Sequence, residues 1–365
     1  MKVRLLLMAV ALLVIILPAF AQLDSAATPP AYKKLLAFPV VARSVETGWM
    51  FGGVACALFR IDRKDTVARV SNIEALAMYS LNKQLLTVIN GTIYFPNEKY
   101  ILNHQLSYSY FPDKFWGIGQ HAPDSLEEPY QFKQYYVYLH GMRKLKKGLF
   151  AGAVYEMQKV MGVEYKSSGL FDKQQVAGRK GYLISGFGGS ITYDSRSDAF
   201  SPNKGTFLQM IAKYYHPAVG SDYTYTNIIQ DVRQYIPVTR KQVLAVQLYN
   251  FMNLGDEIPL RSLAALGGSS LMRGYYAGRY RDKQLLALQA EWRVPVYGPF
   301  GFVAFGGAGD VARRAMDYDF KDLKLAYGAG IRFALSKKDK LNLRLDYGFT
   351  NKKDQGFYLQ LGEAF

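Results

Sequence analysis

Beyond its first residues the chain has no apolar run of the length that a membrane-spanning helix requires, about 20 residues. It also has a single cysteine, Cys56, which excludes an internal disulfide and a thiolate metal cluster and leaves that side chain as a small apolar group. Only four histidines occur, His104, His121, His140 and His216, and neither a Gly-x-Ser-x-Gly elbow nor a His-Glu-x-x-His helix is found. Histidine is the commonest general base, so these absences argue against a lipase or protease and for a chain that is not an enzyme; no cofactor or metal is expected. Acid is scarce too: 29 Asp and Glu stand against 45 Lys and Arg, a formal charge of +16.

What is present starts with an export signal. Lys2 and Arg4 precede an apolar run from Leu5 to Leu17, and Ala19-Phe20-Ala21 offers small residues for cleavage before Gln22. A spanning anchor is the alternative reading, but the run is too short for one. Exported and without a helical span, the mature chain can live in a membrane only as a closed barrel. Its 33 Gly, 28 Tyr and 22 Phe, with a mean hydropathy near zero, suit a wall whose apolar residues alternate with polar ones. The positive charge then suits anionic lipid head groups; a nucleic-acid partner would match the charge but not the compartment.

Alternation is clearest near the C-terminus. In Lys340-Leu341-Asn342-Leu343-Arg344-Leu345-Asp346-Tyr347-Gly348-Phe349 one face is Lys, Asn, Arg and Asp and the other Leu, Tyr and Phe, a period of 2 that no amphipathic helix shares. Phe357, Leu359, Leu361 and Phe365 are expected to share a face of the last strand. Strands are expected at 36–45, 48–59, 70–81, 83–95, 100–110, 130–143, 148–158, 184–194, 205–215, 223–237, 242–253, 284–297, 300–311, 324–335, 340–350 and 356–365. That makes an all-β, transmembrane antiparallel barrel of about 16 strands, roughly ten residues each as a tilted span needs.

The connections at 96–99, 143–147, 238–241, 297–300 and 336–339 are short, while 111–129, 159–183, 254–283 and 312–323 are long. Short periplasmic turns and long extracellular loops are the pattern of the Gram-negative outer membrane, with both termini periplasmic. The expected division is 1–21 signal peptide, 22–35 periplasmic segment and 36–365 barrel.

Three segments carry a family resemblance. They are the loop with Met272-Arg273-Gly274-Tyr275, the alternating strand Gln289-Ala290-Glu291-Trp292-Arg293, and Asp194-Ser195-Arg196-Ser197-Asp198 followed by Pro202 and Gly205. On these, the second half of the chain resembles the barrel of the BamA/TamA superfamily, the bacterial surface antigen family. The resemblance implies a loop folded into the lumen, with Arg273 paired to Glu291, and a role in outer-membrane protein or lipid assembly or translocation. A buried charge needs such a partner. The bland alternative makes Arg273 a solvated loop cation. The family places a second acid where Gly307 stands here, in Phe305-Gly306-Gly307-Ala308-Gly309-Asp310-Val311; Asp310 is a substitute on the opposite face by parity.

Asp194, Arg196 and Asp198 read either as a partner contact on the periplasmic rim or, preferably, as turn chemistry returning through Pro202 and Gly205. Pro39 removes a ladder donor from the first strand, compatible with a lateral seam between that strand and the last one ending at Phe365, and equally with a strand start. The family's periplasmic POTRA modules have no room between Gln22 and Leu36, so a barrel-only member is expected, with a separate periplasmic protein as docking partner and an unfolded outer-membrane protein as client. A passive pore or structural barrel shares the fold and stays open as an alternative.

Overall fold

A computed structural model describes residues 33–65, 67–198, 201–336 and 341–365. The expected signal peptide, its cleavage site and the segment up to residue 32 lie outside the described residues, as does most of the turn at 336–339.

The described chain forms one closed antiparallel barrel of sixteen strands. They are β1 (Lys33–Ser44), β2 (Gly48–Phe59), β3 (Ser71–Ser80), β4 (Leu85–Tyr94), β5 (Tyr100–Phe115), β6 (Glu128–Lys146), β7 (Leu149–Tyr165), β8 (Tyr182–Asp194), β9 (Gly205–Tyr215), β10 (Tyr225–Pro237) and β11 (Val243–Leu254). A two-stranded hairpin follows, β12 (Ala264–Leu266) and β13 (Tyr280–Asp282), outside the wall. The barrel resumes with β14 (Gln284–Tyr297), β15 (Phe300–Ala312), β16 (Lys324–Ser336), β17 (Leu341–Thr350) and β18 (Gln355–Leu361).

Period-2 patterning sets which way each strand faces. Leu288 and Trp292 of β14 are exposed on the outer wall, while Gln289, Glu291 and Arg293, of the opposite parity, are buried in the lumen. The same outward row includes Phe187, Ile191, Ile331 and Leu345, the apolar band that a bilayer covers. Strands β5, β6 and β7 run 16, 19 and 17 residues, longer than the span expected from sequence. Their extra length carries inward aromatics, Phe115, Tyr130 and Phe132, that pack with Phe171 of a one-turn helix and with Leu260 and Leu263 of the 255–283 loop. Tertiary packing, not alternation, extends these strands above the membrane.

Closure is uneven. Between β1 and β2 twelve residue pairs are in register, but β1 and β18 register only through Arg43 and Leu359 among the described residues. The last strand stops at Leu361, and the following residues turn into the lumen.

Candidate functional site: the loop locked inside the barrel

Residues 255–283 descend from the extracellular rim into the lumen, and the hairpin β12–β13 stiffens their descent. At its tip Arg273 is 1% exposed, which excludes a solvated loop cation as a description of this structure. Its guanidinium donates Nη2 to Glu291 Oε1 and Nη1 to Asp346 Oδ2, each at 2.5 Å, and lies 3.6 Å over the Phe305 ring.

The pairing sits in a larger charge cluster. Arg293 Nη2 lies 2.9 Å from Glu291, Arg332 Nη1 2.5 Å from Asp346, and Arg344 Nη1 3.4 Å from Asp346. Arg332 Nε reaches Glu363 at 2.8 Å. Four arginines therefore share three carboxylates, all on or beside lumen-facing positions. Each ion satisfies another, which offsets the cost of removing it from water.

Asp310 has no part in this cluster. It pairs with Lys324 at 3.0 Å near the extracellular end of β15, as its parity requires, and the second carboxylate comes from Asp346 on β17. A Cβ at Gly307 would lie 3.1 Å from Met272 Sδ and 2.9 Å from Gln289 Cβ. The space that an acid would take at that position is used by the loop itself. Asp346 carried a readable signal, since it shares the polar face of its strand with Arg344. Its height relative to Arg273 depends on register, which sets it opposite Gly330, a residue without a side chain to obstruct Arg332.

Neighbours of Arg273 fix the loop further. Gly274 has φ +121°, a conformation reserved for glycine, and its N–H donates to Tyr358 Oη at 2.9 Å. Tyr275 Oη donates to Asn351 Oδ1 at 2.7 Å. Tyr276 Oη donates to Asp113 Oδ1 at 2.8 Å, and Ala277 N–H to Glu46 Oε1 at 2.6 Å. Burial raises the Glu46 carboxyl above the usual carboxylate range. Asp113 and Glu46 belong to no motif in the sequence, where each is an isolated acid near a strand end. Below the loop a cavity of about 310 Å³ remains, lined by Tyr136, Tyr249, Asn227 and the Lys213–Glu156 pair among others.

At the periplasmic rim, Asp194 accepts from Arg196 N–H (3.1 Å) and Nε (3.0 Å), and Asp198 Oδ1 accepts from Ser201 N–H at 3.0 Å. Arg196 stacks on Phe207, Pro202 is buried, and Gly205 at φ +108° packs where a Cβ would lie 2.3 Å from Ser195 O. These contacts are internal turn chemistry. One longer link, Arg69 to Asp194 at 3.6 Å, ties the turn to the 60–70 loop.

Pro39 lies in the part of β1 that has no registered partner on β18. Phe365 does not line that seam. It sits in the lumen against Tyr235, Val243 and Ala245, and its carbonyl oxygen accepts from Arg293 Nη2 at 2.8 Å. The arginine-rich lumen and this apolar niche draw the end of the chain inward, off the outward face of Leu359 and Leu361.

Of the histidines, only His140 has a geometry worth weighing as a base. Its Nε2 lies 2.7 Å from the buried Ser190 Oγ, but among the described residues no carboxylate orients the ring. No cluster of metal-ligating residues occurs among the described residues.

The comparison that decides the family is by sequence: residues 122–365, about two thirds of the chain, match the Omp85 superfamily domain. The chain belongs to the Omp85 superfamily. No curated protein sequence matches it. Among solved structures, this Omp85 barrel is similar to BamA from Haemophilus ducreyi lacking POTRA domains 1-3, with a TM-score of 0.60 at 13% identity over 91% of this chain and 70% of that one. CdiB from Escherichia coli gives 0.59 at 11% identity over 93% and 64%, and CdiB from Acinetobacter baumannii 0.57 at 11% over 92% and 60%. The chain thus spans 60–70% of the length of these proteins, and at such identities the likeness is one of fold. An Omp85 barrel of this form is an outer-membrane protein of a Gram-negative bacterium.

Proposed function

We propose that this Omp85 barrel assists the insertion or translocation of other molecules, unfolded outer-membrane proteins first among them, through the seam between β1 and β18. The observation that carries the reading is the uneven closure. Every other neighbouring pair of barrel strands is zipped along most of its length, whereas β1 presents an almost unpaired edge interrupted by Pro39. An open edge is a template for a further strand. The Arg273 lock keeps the lumen closed and the neighbouring wall, β14 to β18, rigid while that edge is offered. A separate periplasmic protein would deliver the client to the barrel.

A passive pore is the second reading, and the locked loop speaks against it because it fills the channel that a sixteen-strand wall would otherwise enclose. Catalysis has little to rest on, since the His140–Ser190 pair is buried and has no orienting acid among the described residues.

The test is reconstitution of the barrel in liposomes with an unfolded barrel client, whose insertion is followed by protease protection. The chain should accelerate insertion, and an Arg43→Cys, Leu359→Cys variant should lose the acceleration when oxidised and regain it on reduction. Client insertion that is equally fast with the seam cross-linked, or no faster than in empty liposomes, contradicts the proposal.

A further inference from the structure

The outer wall of β1 to β7 is dented into a trough of about 1010 Å³. Its floor is made of small outward residues, Pro39, Gly53, Ala55, Ala75 and Ala77. At one end stand Tyr108 and Tyr135, their rings 4.9 Å apart, and beside them Lys159.

Lys159 is the unexpected member. It is paired in register with the outward Tyr135, so it faces the bilayer, and Lys133 on β6, in register with Met161, stands one step nearer the extracellular rim. Both are exposed, and neither forms an ion pair among the described residues. Lysine on the lipid face of a barrel wall is costly unless it reaches an anionic group at the interface. The interface lies at this height, because just above Lys133 the outward side chains turn polar. Tyr110 Oη donates to Gln131 (2.7 Å), which donates to Glu164 (2.6 Å). Long β6 and β7 thus carry two unneutralised cations to the level of the head groups, directly above an apolar trough.

We propose that this trough binds a phosphorylated glycolipid of the extracellular leaflet, with phosphate held by Lys133 and Lys159 and acyl chains lying along the Ala55–Ala75–Ala77 floor. Charge complementarity selects an anionic head group, the trough selects acyl chains, and the extracellular height of the lysines selects the glycolipid over a phospholipid. The small floor residues serve the same end, since each methyl or hydrogen in place of a leucine leaves room for chain packing against the sheet.

The test titrates the purified full chain in detergent with lipid A, and separately with phosphatidylglycerol, reading bound adducts by native mass spectrometry. One lipid A per barrel is expected, held several-fold more tightly than phosphatidylglycerol. Lys133→Ala with Lys159→Ala should weaken it by about twenty-five-fold, the product of about fivefold for each lysine at a membrane surface. Lys133→Arg with Lys159→Arg should keep it, and Ala77→Trp, which fills the floor, should weaken it without touching charge. Heat-modifiable gel mobility confirms that each variant is folded. Equal binding of both lipids, multiple weak adducts, or retention in the double alanine variant overturns the proposal and leaves ordinary annular lipid.

Discussion

Asp346→Ala is expected to destabilise the barrel more than Arg273→Ala does, although Arg273 is the residue that the sequence points to. The lumen cluster holds four arginines and three carboxylates. Removing Arg273 brings the count to three against three and leaves Glu291 still bonded to Arg293, so the loss is about 3 kcal/mol, at the low end for breaking a buried pair. Removing Asp346 leaves four arginines around two acids and strips Arg273, Arg332 and Arg344 of a shared partner, for a loss of about 4–5 kcal/mol. Urea-dependent unfolding in liposomes, read by heat-modifiable mobility, gives the order directly. Asp310→Asn, which touches the Lys324 pair and the Val311 N–H but nothing in the cluster, should leave the Arg273 lock intact. A larger loss for Arg273→Ala than for Asp346→Ala would contradict this charge count.

Deleting residues 255–283 and joining Leu254 to Gln284 by a short flexible linker should convert a closed barrel into a conducting one. The loop fills the upper lumen with Leu266, Met272, Tyr275 and Tyr280, all buried, and with the guanidinium of Arg273 lower down. A sixteen-strand wall without such a plug encloses a water-filled channel. Planar-bilayer recording should show little conductance for the intact chain and long-lived, large steps for the deletion. Arg273→Ala alone should flicker instead of opening fully, because Tyr275, Tyr276 and Ala277 still tie the loop to Asn351, Asp113 and Glu46. An intact chain that conducts as well as the deletion would make the loop no plug.

Much of the wall was legible because alternation is local. Each of the sixteen expected strands overlaps a barrel strand, and the strands from β14 to β17 match to within a residue or two at each end. What was not legible depended on contacts between distant segments. The ends of β5 to β7 are set by a roof of aromatics that only the folded loop completes. The family motif places the second carboxylate on the next strand, where Gly307 leaves room for Met272; it sits instead two strands further on, at Asp346. Phe365, expected by parity on the outward face of the last strand, lies beyond β18 and is drawn inward by Arg293 and the Tyr235 niche, a preference that exists only once β10, β11 and β14 stand side by side. Arg273 and Glu291, by contrast, were readable from their motifs, and their geometry is that of a direct pair.

The wall is weak at one place, where β1 meets β18, and residue-resolved hydrogen exchange of the liposome-embedded barrel would show this strand by strand. Alternate amides of β1 point to β2 and to β18. Those facing β2 should be protected like the amides of β14 and β15, while those facing β18 between Lys33 and Val41 should exchange faster by about a hundredfold or more, as unpaired backbone does. Equal protection of both sets along β1 would show a zipped seam and would contradict the account of this barrel as one that offers an edge to its clients.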